Sequence, residues 1–394
     1  MENFNFHVAT DIRFGKDRLS ELPEVINTFG KNVLLVYGGG SIKQNGLYDK
    51  VRHALQAATV VELAGVEPNP RIETVTKGAA LCREHHIDVI LAVGGGSVID
   101  CSKAIAGGAY VEGDLWENLV LKRQYNGPAI PIVTILTLAA TGSEMNRGGV
   151  ISNMQTQQKL GMGGKNLLPK VSFLDPTNTF TVNAYQTAAG SADIFSHLME
   201  NYFNATPGTD VQDGVAEGLM KTVIHHLPIA LKEPENYDAR ANLMWASTLA
   251  LNGLTGSGKT GTWSCHAMEH ELSAFYDITH GIGLAILTPR WMAHILNETT
   301  VPKFARFAKE VWGIQEENPE QAARKGIQAL YDFFLENGVP MTLPEVGIDT
   351  EKDFDQMAQQ AIAHSTISKA AFVPLQKEDV IQIYQASQTP STFI

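Results

Sequence analysis

A chain of 394 residues, 44% hydrophobic and 18% charged, is longer than one hydrophobic core usually serves, which predicts two domains. Its formal net charge of -12 excludes a nucleic-acid binder, which needs a basic footprint to neutralise phosphates. The opening Met1–Gly15 lacks the basic and apolar regions of a signal peptide, no apolar run approaches the ~20 residues of a membrane helix, and Cys82, Cys101 and Cys265 are too scattered for a disulfide framework or a thiolate zinc site, so a reduced, cytoplasmic protein with no membrane partner is expected.

In chain order, short apolar runs alternate with amphipathic stretches. Asn32–Tyr37 reads as a buried strand stopped by Gly38-Gly-Gly-Ser41, and residues 60–63 as a shorter strand. Residues 88–93 form another buried strand, ended by Gly94-Gly-Gly-Ser97, and residues 129–135 a fourth. Helical stretches lie between them, at 71–85 and 98–106, and the glycine-rich segment 141–164 predicts a hairpin or long loops. Strand, glycine turn and helix in repetition point to an α/β domain with a mostly parallel, Rossmann-like sheet over residues 1–180. After Asp175-Pro176 the texture changes. Stretches 186–203, 208–227, 237–251, 262–275, 282–295, 301–312 and 321–337 are apolar at helical spacing, with proline and glycine falling mainly between them, so residues 181–394 read as an all-α domain.

Ligands of open α/β sheets bind beyond the carboxyl ends of the strands, where a glycine turn admits a pyrophosphate and the next helix turns its N–H groups toward it. Gly94–Ser97 followed by Val-Ile-Asp100 fits that role, although it is no G-x-G-x-x-G fingerprint and a plain structural turn competes with it. An NAD-preferring strand usually ends in a carboxylate that holds the ribose 2′-hydroxyl. Here the first strand runs into Gly39, Gly40, Ser41 and Lys43, which favours NADP(H) over NAD(H), against the plainer reading of a tight turn with a solvated lysine.

Gly253-Leu-Thr-Gly-Ser-Gly258-Lys259-Thr260 matches a phosphate-binding loop letter for letter. Such a loop must follow a buried parallel strand. The preceding Arg240–Leu251 is alanine-rich and helical in period, so the match reads as a loop between helices.

The sharpest signal lies in the helical half. Asp193 and His197 stand at i and i+4, one turn apart on one helix face, as do His266 and His270 on a later helix, while His280 opens a third. Each pair alone also suits a cap, an ion pair or a helix surface. Together, within otherwise apolar helices, three imidazoles and a carboxylate suit one divalent ion such as Fe²⁺ or Zn²⁺.

At this point the chain resembles the iron-containing, or group III, alcohol dehydrogenases, closest to their NADPH-dependent aldehyde reductase and butanol dehydrogenase branch. The likeness spans nearly the whole length, through Phe14-Gly-Lys, Gly38–Ser41, Glu67-Pro-Asn-Pro70, Gly94–Asp100, Thr137–Glu144, Asp175-Pro, Asp193-x3-His197 and His266-x3-His270-Glu-Leu to His280-Gly281. It implies a dehydroquinate synthase-like two-domain architecture, a homodimer, and hydride transfer between a nicotinamide cofactor and a small alcohol or aldehyde. By the resemblance, Asp193, His197, His266 and His280 are the metal ligands, and His270 lies beside the nicotinamide without being a ligand; His270, or a water chain through the ribose hydroxyls, is the candidate proton relay. Asn69, Gly95, Gly96, Ser97 and Asp100 surround the ribose and pyrophosphate, and Thr137, Leu138, Ser143, Asn146 and Lys159 continue the cofactor cleft. Gly39 stands about where NAD-preferring relatives carry an aspartate. A polyol (glycerol-type) dehydrogenase, a lyase resembling dehydroquinate synthases and a non-catalytic metal or nucleotide binder are the competing readings.

Overall fold

Strands buried on both faces read as unbroken apolar runs, and two such runs, Asn32–Tyr37 and Val89–Gly94, lie side by side within a six-stranded sheet. The computed structural model describes residues 1–261 and 263–394. Its strands are β1 (Asp11–Phe14), β2 (Asn32–Tyr37), β3 (Thr59–Leu63), β4 (Val89–Gly94), β5 (Ile132–Leu136), β6 (Gly148–Asn153), β7 (Gln158–Gly163) and β8 (Val171–Leu174). The main sheet runs β1-β8-β5-β4-β2-β3 with every pair parallel. The hairpin expected between 141 and 164 is the separate antiparallel pair β6-β7.

Helices α1 (Leu22–Asn27), α2 (Ser41–Gln44), α3 (Leu47–Ala54), α4 (Ile72–Glu84) and α5 (Gly96–Gly108) connect these strands. Alternate residues of the sheet bury two apolar layers. Leu34, Val36, Ile90 and Ala92 pack with α4 and α5, whereas Val33, Leu35, Val89 and Leu91 pack with α1 and α3. The chain leaves β2 for β3 on one side and later for β4 on the other. The crevice between the ends of β2 and β4 is therefore the topological switch point, where open α/β sheets take their ligands.

The remaining helices are α6 (Ala184–Tyr202), α7 (Asp210–Lys232), α8 (Tyr237–Ala250), α9 (Ser264–Tyr276), α10 (His280–His294), α11 (Val301–Trp312), α12 (Pro319–Glu336), α13 (Phe354–His364), α14 (Ile367–Ala370) and α15 (Lys377–Ala386). The expected helix over 262–275 starts at Ser264 among the described residues, and Thr262 lies outside them. Two compact units emerge: His7–Val182 with Pro234–Thr248, and Met1–Phe6 with Asn183–Glu233 and Leu249–Ile394. The division expected at 180/181 thus differs at two segments, each for a physical reason. Most of α8 belongs with the sheet, since Met244 enters its core, Trp245 meets Phe14 edge-on at 5.9 Å, and the Thr248 hydroxyl donates to Glu144 Oε1 at 2.5 Å. The first residues of the chain lie with the helices, where Glu2 N–H donates to Gly258 O at 2.9 Å.

Within the helical unit α6 is central, with every residue from Thr187 to Tyr202 buried. Asn183 caps it by accepting the Gln186 N–H at 2.8 Å. Phe195, on the side away from Asp193 and His197, packs its ring 6.0–6.5 Å from those of Phe307, Trp312, Phe333 and Phe334. Burial of a phenylalanine stabilises by roughly 1.5–3 kcal/mol, so this contact fixes the rotation of α6. The lysine of the phosphate-loop look-alike is committed here: Lys259 Nζ is buried, donating to Asp213 Oδ1 at 2.7 Å and to Asn201 O at 2.8 Å. The loop follows helix α8, which excludes the strand context that such a loop needs. No helix among the described residues is long and apolar enough to cross a membrane. All three cysteines are buried, and burial pushes the Cys82 thiol up to about 12.

Candidate metal centre and dinucleotide crevice

The centre of the helical unit is assembled from α6, α9 and the first turn of α10. Asp193 and His197, one turn apart, face His266 on α9 and His280 at the start of α10. Three imidazole Nε2 atoms converge on one oxygen, Asp193 Oδ1: His197 at 3.4 Å, His266 at 3.8 Å and His280 at 3.7 Å. Asp193, His266 and His280 have ligand atoms all within 4.8 Å of one another. His197 joins them through Asp193 and by stacking on His266, with centroids 4.8 Å apart and planes at 20°. The ring of Trp263 stands edge-on to both, at 5.9 Å from His197 and 5.1 Å from His266.

A divalent ion fits Asp193, His266 and His280, while His197 falls outside that close group and reaches only Asp193 Oδ1, at 3.4 Å. Two ligands about 2.1 Å from an ion at a tetrahedral angle lie roughly 3.4 Å apart, and wider angles extend that toward 3.8 Å. Asp193 Oδ1 and His266 Nε2 are buried without a hydrogen-bond partner in the protein, which is costly unless something else engages them. The electrostatics agree. Burial would raise the Asp193 carboxyl, but the imidazoles of His197, His266 and His280 around it hold it well below the usual range. Burial pushes His197 down to about 4. His266 also suffers burial, yet Asp193 and Glu200 outweigh it and push its pKa up. Protons and a cation compete for these nitrogens.

Two carboxylates that the sequence reading passed over stand behind the histidines. Glu200 Oε1 accepts the His266 N–H at 2.8 Å and lies 3.2 Å from His266 Nδ1. Glu269 Oε2 meets His280 Nδ1, and Glu269 Oε1 accepts the Ser273 hydroxyl. The signal for Glu200 was its place at i+7 from Asp193 on the same helix stripe. The signal for Glu269 was a carboxylate between two histidines in an apolar helix. His270 groups with Glu269 and His280, not with Asp193, and its ring lies 5.7 Å from that of His280.

The crevice of the α/β unit gathers the other candidates. Both glycine turns flank the switch point, and Val98 lies under both: Cβ atoms added at Gly94 and Gly38 would meet its Cγ2 at 2.5 and 3.8 Å. At Gly96 a Cβ would lie 2.3 Å from Thr141 Oγ1, and at Gly95 one would lie 3.2 Å from Leu138 Cβ, so α5 starts tight against the loop after β5. No side chain caps α5, whose N-terminus carries the positive end of a helix dipole. Ser97 donates its hydroxyl to Pro68 O, next to the buried Asn69, and Thr137 N–H donates to Gly94 O at 3.1 Å.

Asp100 ties this start of α5 to both later elements. It accepts from the Ser143 hydroxyl at 2.5 Å and, through Oδ2, from Val150 N–H at 2.9 Å on β6. Lys103, which the sequence reading missed, is wholly buried one turn further along. Its ammonium donates to Ser143 Oγ at 2.8 Å, Asn146 Oδ1 at 3.0 Å and Gly148 O at 2.6 Å. Burial lowers its pKa to about 8 against the pull of Asp100 and Glu144. Lys159 is buried on β7.

Gly39, Gly40 and Ser41 lie at the other side of the crevice, where a φ of +109° at Gly40 calls for glycine. Lys43 sits 5.2 and 4.8 Å from the ring centroids of Tyr37 and Tyr48. One carboxylate does lie nearby. Glu62 on β3 accepts both tyrosine hydroxyls at 2.8 Å and attracts Lys43.

Comparison with known proteins places these features in one context. Residues 9–176 match the profile described as iron-containing alcohol dehydrogenase, and residues 187–388 match the C-terminal profile of the same family. The chain is 50% identical to NADH-dependent butanol dehydrogenase A of Clostridium acetobutylicum, with 98% of this chain and 100% of that protein covered. It is 42% identical to the NADPH-dependent aldehyde reductase YqhD of Escherichia coli, covering 89% of this chain and 90% of that one. The crystal structure of NADH-dependent butanol dehydrogenase A from Thermotoga maritima superposes with a TM-score of 0.93 at 39% identity, covering 99% of both chains.

Proposed function

Because the chain belongs to the iron-containing alcohol dehydrogenase family and is an enzyme of the alcohol dehydrogenase and aldehyde reductase type, we propose that it reduces a small aldehyde, reversibly, with NADP(H) preferred over NAD(H). The observation that carries this reading is the convergence of three imidazole Nε2 atoms on the buried Asp193 Oδ1, at 3.4–3.8 Å. Asp193, His197, His266 and His280 would hold the divalent ion, Fe²⁺ or Zn²⁺. When bound, the ion would act as a Lewis acid on the substrate carbonyl, while a nicotinamide carries the hydride.

The protein's own groups would do the rest. Imidazoles and a carboxylate held in place by buried helices would keep a preorganised polar site, which strengthens electrostatic stabilisation of developing charge. His270, beside His280 without belonging to the Asp193 group, would hand a proton to the substrate oxygen or take one from it. The uncapped start of α5, with Gly95, Gly96 and Ser97, would receive the pyrophosphate. Asn69, Thr137 and Leu138 would line the same crevice with Lys159, while Asp100, Ser143 and Asn146 would hold its loop and hairpin in place. Gly39 and Gly40 would leave room at the adenosine ribose, and Ser41 and Lys43 would engage a 2′-phosphate. Of the three relatives named above, two are called NADH-dependent and one NADPH-dependent. The preference therefore rests on Ser41, Lys43 and the absence of a carboxylate at Gly39.

The test is chelation, reconstitution with Fe²⁺ or Zn²⁺, and cofactor consumption over a panel of straight-chain aldehydes and glycerol. Activity that depends on the ion, favours the aldehydes and has a lower Michaelis constant for NADPH than for NADH is the expected result. Equal efficiency with both cofactors contradicts the preference, and a selective response to glycerol favours the polyol reading.

The buried Lys103 supplies a second check. In Lys103→Met, Ser143, Asn146 and Gly148 lose a common donor, at about 1–3 kcal/mol for each buried group left unsatisfied. The loop from Thr141 to Gly148 should loosen. Fluorescence titration should then show NADPH affinity at least about tenfold weaker, with metal content unchanged. Wild-type affinity in a folded Lys103→Met protein would remove this loop from the binding site.

A further inference from the structure

We propose that Glu200 and Glu269 are positioning residues of the metal centre, each fixing the tautomer of one histidine, His266 and His280, and so setting how tightly that ring's Nε2 holds a divalent ion. This rests on the metal-centre reading above and adds two residues that touch neither ion nor substrate. A neutral imidazole has one N–H and one bare nitrogen, and whichever nitrogen donates leaves the other as the ligand. A carboxylate at Nδ1 therefore commits Nε2 to the ion and makes it more basic.

Each carboxylate is built into that role by its surroundings. Glu200 reaches from α6 to the first turn of α9, where Oε1 accepts the His266 backbone N–H at 2.8 Å and lies 3.2 Å from Nδ1 of the same residue. The first N–H groups of a helix have no intrahelical partner, so this helix start offers a donor to the buried Glu200. One oxygen thus fixes both the backbone and the ring of the same ligand. Glu269 is fully buried. Its Oε1 is held by the Ser273 hydroxyl, which leaves Oε2 for His280 Nδ1. Gly283 makes room for it, since a Cβ there would lie 2.8 Å from Glu269 Cγ. His197 has no such support: its Nδ1 is buried without a partner. The two histidines that group tightly with Asp193 are the two that carry a carboxylate behind them.

Glu200→Gln and Glu269→Gln keep the shape and an acceptor oxygen but remove the charge. Purified full-length variants are titrated with Zn²⁺ against a chromophoric chelator, and the Co²⁺-substituted proteins are examined by visible absorption. The expected result is a Zn²⁺ dissociation constant raised about 10–100-fold in each variant, with altered Co²⁺ d–d bands. NADPH affinity and the melting temperature of the metal-free protein should stay near wild type. If a Gln variant fails to fold, Ser273→Ala, which releases Glu269 Oε1, should weaken Zn²⁺ binding in the same direction. Folded Gln variants, or a folded Ser273→Ala protein, with wild-type Zn²⁺ affinity and Co²⁺ spectrum overturn the positioning role while leaving the metal centre standing. Failure of the wild-type chain to take up one Zn²⁺ or Co²⁺ overturns the metal centre itself.

Discussion

Replacing His280 with alanine is expected to abolish stoichiometric metal retention and to lower aldehyde turnover by on the order of 10³-fold or more, because Lewis-acid stabilisation contributes several kcal/mol at about 1.4 kcal/mol per decade. His280 presents Nε2 3.7 Å from Asp193 Oδ1 and is one of only three residues in its tight ligand group among the described residues. Its loss also leaves the buried Glu269 carboxylate without its imidazole partner, which should further disfavour the folded site. The dinucleotide candidates all lie elsewhere in the chain, between Gly39 and Lys159, so NADPH should bind His280→Ala nearly as it binds the wild type. Metal analysis with steady-state kinetics checks both parts. Undiminished turnover by the metal-stripped variant would contradict the ligand assignment.

Gly281→Ala is expected to be almost as damaging, although the side chain at 281 does no chemistry. A Cβ at this position would lie 2.0 Å from the Ala189 carbonyl oxygen and 2.7 Å from its carbonyl carbon. Those are backbone atoms of the buried α6, so no side chain can swing away to relieve the clash. The first turn of α10 would have to retreat from α6, carrying His280 away from Asp193. Overpacking of this kind costs about 1–3 kcal/mol, and a displacement near 1 Å at a reacting site costs about 10²-fold in rate. The expected result is metal occupancy well below that of the wild type, turnover reduced about 10²-fold and a melting temperature lowered by a few degrees. Gly218→Ala in α7 is the control. A Cβ there meets nothing within 4 Å, so alanine should be neutral or stabilise by roughly 0.5–1 kcal/mol with activity intact.

The sequence disclosed most where one local rule governs. β2 and β4 are unbroken apolar runs ended by glycines, and α6, α9 and α10 follow a helical period, so their extents are readable to within a few residues. The short β1 and β8 are not. Four residues each, they carry too little pattern to stand apart from loops, and only their pairing in the sheet defines them. α8 was legible as a helix but not by destination, since periodicity reveals an apolar face without revealing what covers it. Met244, Trp245 and Thr248 direct that face to the sheet unit.

The same distinction holds at the site. Asp193, His197, His266, His270 and His280 stand out by type within apolar helices, and the family resemblance, not spacing, separates His270 from the other four. Glu200, Glu269 and Lys103 do not stand out, because such residues are almost never fully buried unless paired, and pairing is a fact of three dimensions. Lys43 shows the converse. The strand it follows suggested a setting free of carboxylates, whereas Glu62, brought alongside by the next strand, is held by Tyr37 and Tyr48 within its electrostatic reach.

X-ray absorption at the metal edge of the fully loaded protein is the most direct test of whether one ion binds where α6, α9 and α10 meet. The expected spectrum reports one ion per chain, bound by three imidazole nitrogens and a carboxylate oxygen at about 2.0–2.2 Å, with the imidazole signal reduced in His266→Ala. An ion below one per chain at saturation, a sulfur ligand, or a spectrum indifferent to His266→Ala would contradict it.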